Sequence, residues 1–470
     1  MSRPNTRPLL AALAAATLTA SLGISTASVL LPDLARAFAA PMPQVQWVVL
    51  AYLPAITVAV VSAGRLGDIF GPRRVLLSGL ALFTLASIAA ALAPSLPSLV
   101  AARAVQGGAG AVMIALPMSL ARNRLPEGRL GTAMGLLGTT SAIGTALGPS
   151  MGGLLLAWAD WRAAFWLLAA TALASLAMAL STIPASPRAH RATWAGTWAS
   201  LDAPGTLLLI LTLTAYALAT SGTALPARLP PGLLLATALG AGALFVLAER
   251  RARAPLLPLA LLRSRATGTG LAMNTAVGTI MMSTLVVGPF YLAFALGLGP
   301  AQTGLVLATG PFVAALTGLP AGWLTDRLGA ARTMQIGLAQ TVLGLVALAL
   351  LPRALGTPGY VLALTLLTPA FQLFLAGNNT AVLAAAPEAD RGRISGLLAL
   401  SRNLGLMTGA SAMPALFVIF QGTPDPAQAA PEAIARAFSL TFLAAAGLAL
   451  ATLVLALTRR PQTGHADAPS

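Results

Sequence analysis

Residues 64–74 read Gly-Arg-Leu-Gly-Asp-Ile-Phe-Gly-Pro-Arg-Arg, and residues 322–332 read Gly-Trp-Leu-Thr-Asp-Arg-Leu-Gly-Ala-Ala-Arg. Three pairs match at one constant spacing, namely Gly64 with Gly322, Asp68 with Asp326, and Gly71 with Gly329. Each copy lies between two long apolar stretches. The same helix–tight loop–helix unit is therefore predicted once in each half of the chain.

A second duplicated pattern follows each loop. Four glycines of the first half, Gly131, Gly135, Gly144 and Gly148, match Gly392, Gly396, Gly405 and Gly409 of the second half at one common spacing. Internal duplication of this length in a strongly apolar chain is typical of membrane transporters.

Composition places the chain in the membrane. It is 57% hydrophobic and 9% charged, with a mean hydropathy of +0.83, whereas soluble domains carry about 25% charged residues. Apolar stretches long enough to cross ~30 Å of hydrocarbon recur from end to end. We therefore expect a multi-pass protein of the cell (inner) membrane, embedded in the lipid bilayer.

The net charge of +16 reflects topology rather than nucleic-acid binding. All 28 basic residues are Arg, and most lie in loops that alternate with the apolar stretches so as to face one side. This excess predicts cytoplasmic N- and C-termini. The chain has no Cys, which excludes disulfides and thiolate metal sites, and we expect no metal and no cofactor.

The sequence predicts an all-α membrane protein of fourteen transmembrane helices. The predicted spans are 8–32, 44–63, 75–93, 97–121, 130–157, 163–184, 204–221, 232–249, 268–292, 301–323, 333–351, 359–385, 394–420 and 437–458. The repeats align the second and third spans with the tenth and eleventh. Two pseudo-symmetric six-helix bundles are expected at 1–184 and 268–458, with an inserted two-helix hairpin and its connectors at 185–267 and a cytoplasmic tail at 459–470.

These motifs resemble the major facilitator superfamily, and the resemblance covers nearly the whole chain. The stretch Gly64-Arg65-x-x-Asp68-x-x-Gly71-x-Arg73-Arg74 is similar to the signature loop of that superfamily. Arg103-x-x-Gln106-Gly107-x-x-Gly110 in the fourth span resembles its second motif. The resemblance implies the major facilitator fold and alternating access, with the Asp of the signature loop bracing one half against the other.

Further motifs resemble the fourteen-span drug:proton antiporter branch, which implies multidrug efflux. The antiporter motif of the fifth span is matched by Gly135, Gly144, Gly148, Pro149, Gly152 and Gly153. Asp202-x-x-Gly205, Pro289-Phe290-Tyr291-Leu292 and Glu249-Arg250-Arg251 point to the same branch. We therefore expect a monomeric antiporter that exports small amphipathic compounds.

The glycines of the fifth span have a physical reading of their own. Gly144, Gly148 and Gly152 recur every four residues, so they form one helix face that lets another helix approach closely. Pro149 lacks an N–H and should kink the helix. Gly135 lies about half a rotation away and serves a different contact.

Polar residues in the spans are candidates for the substrate or proton pathway, because polar groups are costly in lipid. In the family, the first and fourth helices of each half line the cavity. They carry Ser25, Ser28, Arg103, Gln106, Asn274, Gln372, Asn378 and Asn379 here. The hydroxyls can be satisfied by their own helix backbone, whereas a buried Arg103 needs a partner.

One departure from the antiporter branch concerns the coupling acid of the first span. Relatives carry an Asp where this chain has Gly23, and an Asn where it has Ser28. No Asp or Glu falls near the middle of any predicted span, and His190 and His465 lie in cytoplasmic segments.

Three alternatives follow from this departure. Asp33, after Pro32 at the outer end of the first span, could pair with Arg103 and gate release through its protonation. Alternatively, the substrates are neutral or anionic metabolites or lipids, with Arg103 and Arg402 supplying positive potential. Finally, transport could proceed without proton coupling.

Other classes of protein are less consistent with the sequence. A membrane enzyme would need an intramembrane cluster of His, Cys, Asp or Glu, and a primary pump would need a phosphate-binding loop. A substrate-sensing receptor with a transporter fold would differ from a transporter only in that it binds its substrate without moving it across the membrane.

Overall fold

The computed structural model describes residues 7–124, 127–183, 202–220, 230–252, 264–385, 391–423 and 429–458. These residues form sixteen α-helices. They are α1 (Arg7–Ala37), α2 (Met42–Val45), α3 (Trp47–Leu50), α4 (Tyr52–Phe70), α5 (Pro72–Ala91), α6 (Leu96–Arg124), α7 (Glu127–Trp158), α8 (Arg162–Thr182), α9 (Ala203–Thr220), α10 (Pro231–Arg251), α11 (Arg265–Phe290), α12 (Pro300–Leu328), α13 (Ala330–Leu355), α14 (Thr357–Ala384), α15 (Arg391–Gln421) and α16 (Pro431–Leu457). A π-helical turn, Tyr291–Ala295, extends α11.

The all-α membrane fold is confirmed. In the described part of the chain, twelve helices are long and apolar enough to cross a membrane, and two shorter apolar stretches, Ile143–Trp158 and Pro204–Ala219, lie at the fifth and seventh predicted spans. The second predicted span is made of α2, α3 and α4 in succession. The N-terminal segment is one 31-residue helix, as expected for a span.

Both copies of the duplicated loop make the same turn. Gly71 ends α4 with φ 87° and ψ 129°, and Gly329 ends α12 with φ 83° and ψ 151°. This left-handed, extended region strains any residue with a β-carbon. Pro72 then opens α5, where its missing N–H and fixed φ suit the first helical turn. Glycine at these two positions is what permits the tight helix–loop–helix unit.

Glycine-lined crossings hold the first and fifth spans together in each half. A β-carbon on Gly144 would lie 2.7 Å from the carbonyl oxygen of Leu18, and one on Gly152 would lie 2.7 Å from Val29 Cγ1. The backbone of α7 therefore packs directly against α1. In the second half, Gly405 and Gly409 of α15 lie even closer to the carbonyl oxygens of Thr275 and Thr279 of α11. The predicted close-approach face is therefore present, and it recurs at the duplicated positions.

The hairpin of α9 and α10 packs between the two halves. Its first helix contacts α4 of the first half and α15 of the second. Tyr216 of α9 and Thr408 of α15 share a 2.7 Å hydrogen bond between their hydroxyl oxygens. The hairpin thus has a direct contact with a helix of each bundle.

Candidate transport pathway

We call the side of the protein that holds Arg7, Gly71 and Gly329 the inner side, and the other the outer side. The two halves meet closely on the outer side, where α7 crosses α12. A β-carbon on Gly153 would lie 2.8 Å from the Cα of Gly304, and one on Gly304 would lie 2.9 Å from the Cα of Gly153. The carbonyl oxygens of Pro149 and Pro300 border the same crossing. The two backbones touch without any side chain between them.

The outer end of α1 completes this closure. Residues 25–32 are all buried. Beyond them, the Arg36 guanidinium carbon lies 5.1 Å from the ring centroid of Phe294 in the π-helical turn. A narrow crevice at this junction is lined by Val29, Pro32, Asp33, Arg36, Ala293, Leu298, Pro300 and Thr303. The outer side is therefore closed by residues of both halves.

The inner side differs. A β-carbon on Gly64 or on Gly322, the first residues of the two signature loops, would meet no atom within 4 Å. Asp326 is exposed. Arg73 binds within its own half, because its Nε donates to the carbonyl oxygen of Ile183 at 2.6 Å, just after α8. The outer side is thus closed by contacts between the two halves, whereas Gly64 and Gly322 on the inner side have no such contact.

Arg103 lies in a buried network within the first half. Its Nε donates to the carbonyl oxygen of Val48 at 2.8 Å, and Nη1 donates to Oε1 of Gln106. Its Cζ lies 4.4 Å from the ring centroid of Tyr52. Gln106 in turn donates to Ser87 Oγ at 2.7 Å. The network ties α3, α4 and α5 to α6, so Arg103 contributes no exposed charge in this conformation.

The predicted Asp33–Arg103 pair is not formed. Asp33 Oδ1 lies 3.4 Å from Nη1 of Arg36, one helical turn away, and 26% of the Asp33 side chain is exposed. Arg103 is fully buried. The prediction was wrong because it matched the two residues by depth alone, whereas the guanidinium turns toward Val48 and Tyr52.

The position of the missing acid is occupied by aromatic side chains. A β-carbon on Gly23 would lie 2.8 Å from Cζ of Phe83 and 3.7 Å from the hydroxyl of Tyr52. Tyr52 donates to the carbonyl oxygen of Ala20 at 3.4 Å. A carboxylate at position 23 would clash with Phe83, so the loss of the acid is built into the packing of α1, α4 and α5.

Ser25 and Ser28 are also buried, and each binds backbone of its own helix. Ser25 Oγ donates to the carbonyl oxygen of Ser21 at 3.3 Å, and Ser28 Oγ donates to that of Ser25 at 2.7 Å. Gly148 lies directly against Ser25. In this conformation both hydroxyls serve helix packing.

Two buried amides play a similar part in the second half. Asn274 Nδ2 donates to the carbonyl oxygen of Leu398 at 2.8 Å and to Ser401 Oγ at 2.9 Å, joining α11 to α15. Asn378 Nδ2 donates to the carbonyl oxygen of Gly270 at 3.2 Å, joining α14 to α11. Among the described residues, the oxygen of each amide has no hydrogen-bond partner.

Few of the polar residues predicted to line the substrate or proton pathway have exposed side chains in this structure. Gln372 and Asn379 of α14 are half-buried, and Arg402 of α15 is exposed. The backbone carbonyl of Arg402 lies against Gly278 of α11, so this cation stands at the glycine-lined crossing. Of the two Arg residues predicted to supply positive potential, only Arg402 is accessible here.

Some predicted residues lie outside what is described. These are the side chains of Arg65 and Asp68, the surroundings of Gly135, and the connectors 184–201 and 253–263. Arg74 is exposed at the start of α5. Sequence reasoning missed Phe83 at the site of the absent acid and Gly304 opposite Gly153. Neither belongs to a repeated pattern that could have singled it out.

These features define a helical membrane transporter with two duplicated halves. The Major Facilitator Superfamily model matches residues 13–262 and 269–470. The chain therefore belongs to the major facilitator superfamily, and it is a transporter rather than an enzyme.

Curated relatives include exporters and a vitamin transporter. The multidrug resistance protein Stp of Mycobacterium tuberculosis is 30% identical over 85% of this chain and 76% of its own. The tetracenomycin C resistance and export protein of Streptomyces glaucescens is 29% identical over 89% and 77%. The riboflavin transporter RibZ of Clostridioides difficile is 28% identical over 82% of each.

Solved structures agree on the fold. A bacterial homologue of the human lysosomal transporter Spinster, in an inward-facing and unoccupied conformation, superposes with a TM-score of 0.72. It is 14% identical and covers 97% of each chain.

Proposed function

We propose that this protein exports small amphipathic molecules from the cytoplasm by alternating access, as an antiporter driven by protons. The observation that carries the proposal is the asymmetry between the Gly153–Gly304 crossing, which is closed, and the open surroundings of Gly64 and Gly322. The names of Stp and of the tetracenomycin C export protein support the direction of transport. The inner side is then cytoplasmic, as the distribution of Arg predicts.

In this proposal the structure corresponds to the loading state. Amphipathic compounds would then enter between the two halves from the cytoplasm and from the inner leaflet. Release requires that α7 and α12 part on the outer side while the signature loops approach each other on the inner side. Asp68 and Asp326, in the last turns of α4 and α12, would then brace the halves by approaching the N-terminus of a helix of the opposite half, where the helix dipole stabilises a carboxylate.

The domain division follows from the same scheme. Residues 1–184 and 268–458 act as the two moving bundles, and 185–267 forms the hairpin between them. A single copy of the chain contains both bundles, so the protein is proposed to work as a monomer.

A second candidate concerns the charge of the substrate. Arg402 is an accessible cation in a membrane-spanning helix, and the position of the usual coupling acid is filled by Phe83. Both observations favour neutral or anionic substrates, including lipids, over the lipophilic cations that a buried carboxylate would attract. The riboflavin transporter among the relatives is consistent with a non-cationic substrate.

Flux into inside-out proteoliposomes tests both candidates. A cationic, a neutral and an anionic fluorescent amphipath are offered with and without an inward-acidic pH gradient. We expect accumulation that stops when the gradient is collapsed, with the neutral or anionic compound preferred and the preference lost in Arg402→Gln. Binding without flux would contradict the transporter assignment, and flux that ignores the gradient would contradict antiport.

A further inference from the structure

Two acidic side chains of the inserted hairpin meet at its inner end. Asp202 precedes α9 and Glu249 lies in the last turn of α10, and their side chains are buried, with 8% and 3% of each residue exposed. A β-carbon on Gly205 would stand within 3.0 Å of Oδ2 of Asp202 and of Oε1 of Glu249. The two carboxyl groups therefore lie close together beside Gly205, the glycine of the Asp202-x-x-Gly205 motif.

The two carboxyl groups have opposite electrostatic surroundings. Asp202 has a φ of +44°, and its Oδ1 accepts the N–H of Gly205 at 3.2 Å, so it caps the N-terminus of α9, where the helix dipole favours a negative charge. Its Oδ2 is buried without a hydrogen-bond partner among the described residues. Glu249 lies at the C-terminus of α10, where the helix dipole disfavours a negative charge.

Two ionised carboxylates this close repel each other, and burial strengthens the repulsion. We propose that Glu249 is protonated and donates its O–H to Oδ2 of Asp202, so that the pair holds one proton. This inference rests on the proposed proton-driven transport, for which it supplies a coupling carboxyl group that the first span lacks. This hydrogen bond would also give Oδ2 of Asp202, a buried acceptor, the partner that it otherwise lacks in the described part of the chain.

A proton fits this site better than a metal ion. The space above Gly205 is too small even for a β-carbon, whereas a cation with its oxygen ligands needs bonds of about 2.0 to 2.6 Å to several donors. Among the described residues, no group of three or more His, Cys, Asp or Glu could hold a metal. A shared proton needs no volume of its own.

Other charges near the hairpin could influence the pair. Arg250 and Arg251 follow Glu249 on α10 and are exposed. The helices packed on α9 carry Arg65 and Asp68 on α4 and Arg391, Arg393 and Arg402 on α15, and the connectors add His190. No ion pair to Asp202 forms among the described residues. The pair lies at the start of α9, a helix that contacts both α4 of the first half and α15 of the second.

Infrared difference spectroscopy of the reconstituted full-length protein tests the proposal without any substrate. We expect a protonated-carboxyl band at neutral pH that shifts in D₂O and disappears at high pH. Glu249→Gln should abolish the band, whereas Glu432→Gln, at an exposed carboxyl, should leave it intact. His190 does not absorb in this region. An unchanged band in Glu249→Gln would overturn the assignment.

A second variant covers the case in which Glu249→Gln does not fold. Asp202→Asn removes the anionic partner, so the band should move to the position of an isolated acid, and an unmoved band would contradict the pair. A protonated-carboxyl band that forms only after a metal chelator is added would show that the two carboxylates bind a cation, which would contradict the shared proton. Since these spectra need no transport, a failure of the export proposal would leave them interpretable. In flux assays, Glu249→Gln should lose the dependence of transport on cytoplasmic pH.

Discussion

Glycine occurs at two places that differ in their contacts. It is tightly packed at the α7–α12 crossing on the outer side, and it has no such contact at the start of the two signature loops on the inner side. Gly153 and Gly304 are pressed together so closely that neither could carry a β-carbon without a shift. Gly64 and Gly322 meet nothing within 4 Å. The contact explains the glycines of the crossing, whereas Gly64 and Gly322 have no contact in this state although their position is duplicated in the two halves.

This difference has a simple explanation if each glycine pair serves one of two states. The outer pair is used when the outer side is closed, as here, and the inner pair is used after the two halves rock against each other. In that case Gly64 and Gly322 are small because a second conformation, in which the inner side closes, requires it. The following substitutions test that reading, beginning with the largest expected effect.

The largest effect should come from Gly153→Leu. The side chain would strike the backbone of Gly304 and the carbonyl of Pro300, and overpacking of this kind costs about 1 to 3 kcal/mol. The closed outer state should lose about 5- to 150-fold in relative population, and flux should fall accordingly. Gly240→Leu is the matched control, because a β-carbon at this position of α10 meets no atom within 4 Å, and it should transport normally. Equal flux in both variants would show that the close contact between Gly153 and Gly304 is not needed for transport.

Gly64→Leu and Gly322→Leu should act in the opposite direction. Neither side chain meets an atom in this state, so thermal unfolding of the detergent-solubilised protein should stay close to that of the wild type. Transport should nevertheless drop severalfold, because the outer-open state needs the inner loops to approach. Normal transport by both variants would show that these glycines do not serve a second state.

Gly71→Ala and Gly329→Ala should lower stability by similar amounts. Both glycines have φ above +80°, and a β-carbon in such a conformation costs roughly 1 to 2 kcal/mol. Thermal unfolding in detergent measures the loss. Gly108→Ala serves as the control, since a β-carbon there lies in a helix and meets nothing within 4 Å, and should be neutral or slightly stabilising. A loss at only one of the two loops would contradict their structural equivalence.

The smallest effect is expected from Arg36→Gln. The substitution removes the contact with the Phe294 ring, which is worth about 0.5 to 1 kcal/mol at an exposed site. It should open the outer side slightly, detected as faster labelling of a cysteine introduced at Thr303. Labelling no faster than in the Thr303→Cys parent would show that Arg36 does not help to close the outer side.

The fold could be read from the sequence because its signals repeat. Apolar length predicted the spans, the two loops predicted the turns at Gly71 and Gly329, and the four-residue spacing from Gly144 predicted a close helix crossing. Each of these rests on local chemistry that a single segment carries.

The site was predicted less well because it depends on side-chain direction across helices. Depth along α1 and α6 suggested that Asp33 meets Arg103, but rotation of α6 turns the guanidinium toward Val48. Similarly, Asp202 and Glu249 are distant in sequence and were noted only as family-like motifs. Their meeting across Gly205 depends on how α9 and α10 pack.

The most direct test measures distances on both sides of the protein at once. Because the chain has no Cys, spin labels can be placed at Ala157 and Leu305 for the outer side, and at Ser78 and Ile336 for the inner side, all of which are exposed. Without substrate, the outer pair should give one short, narrow distance. Under a transported substrate or a change of pH, the outer distance should lengthen as the inner one shortens. Distances that stay fixed, or that change in the same direction, would contradict alternating access between these two glycine pairs.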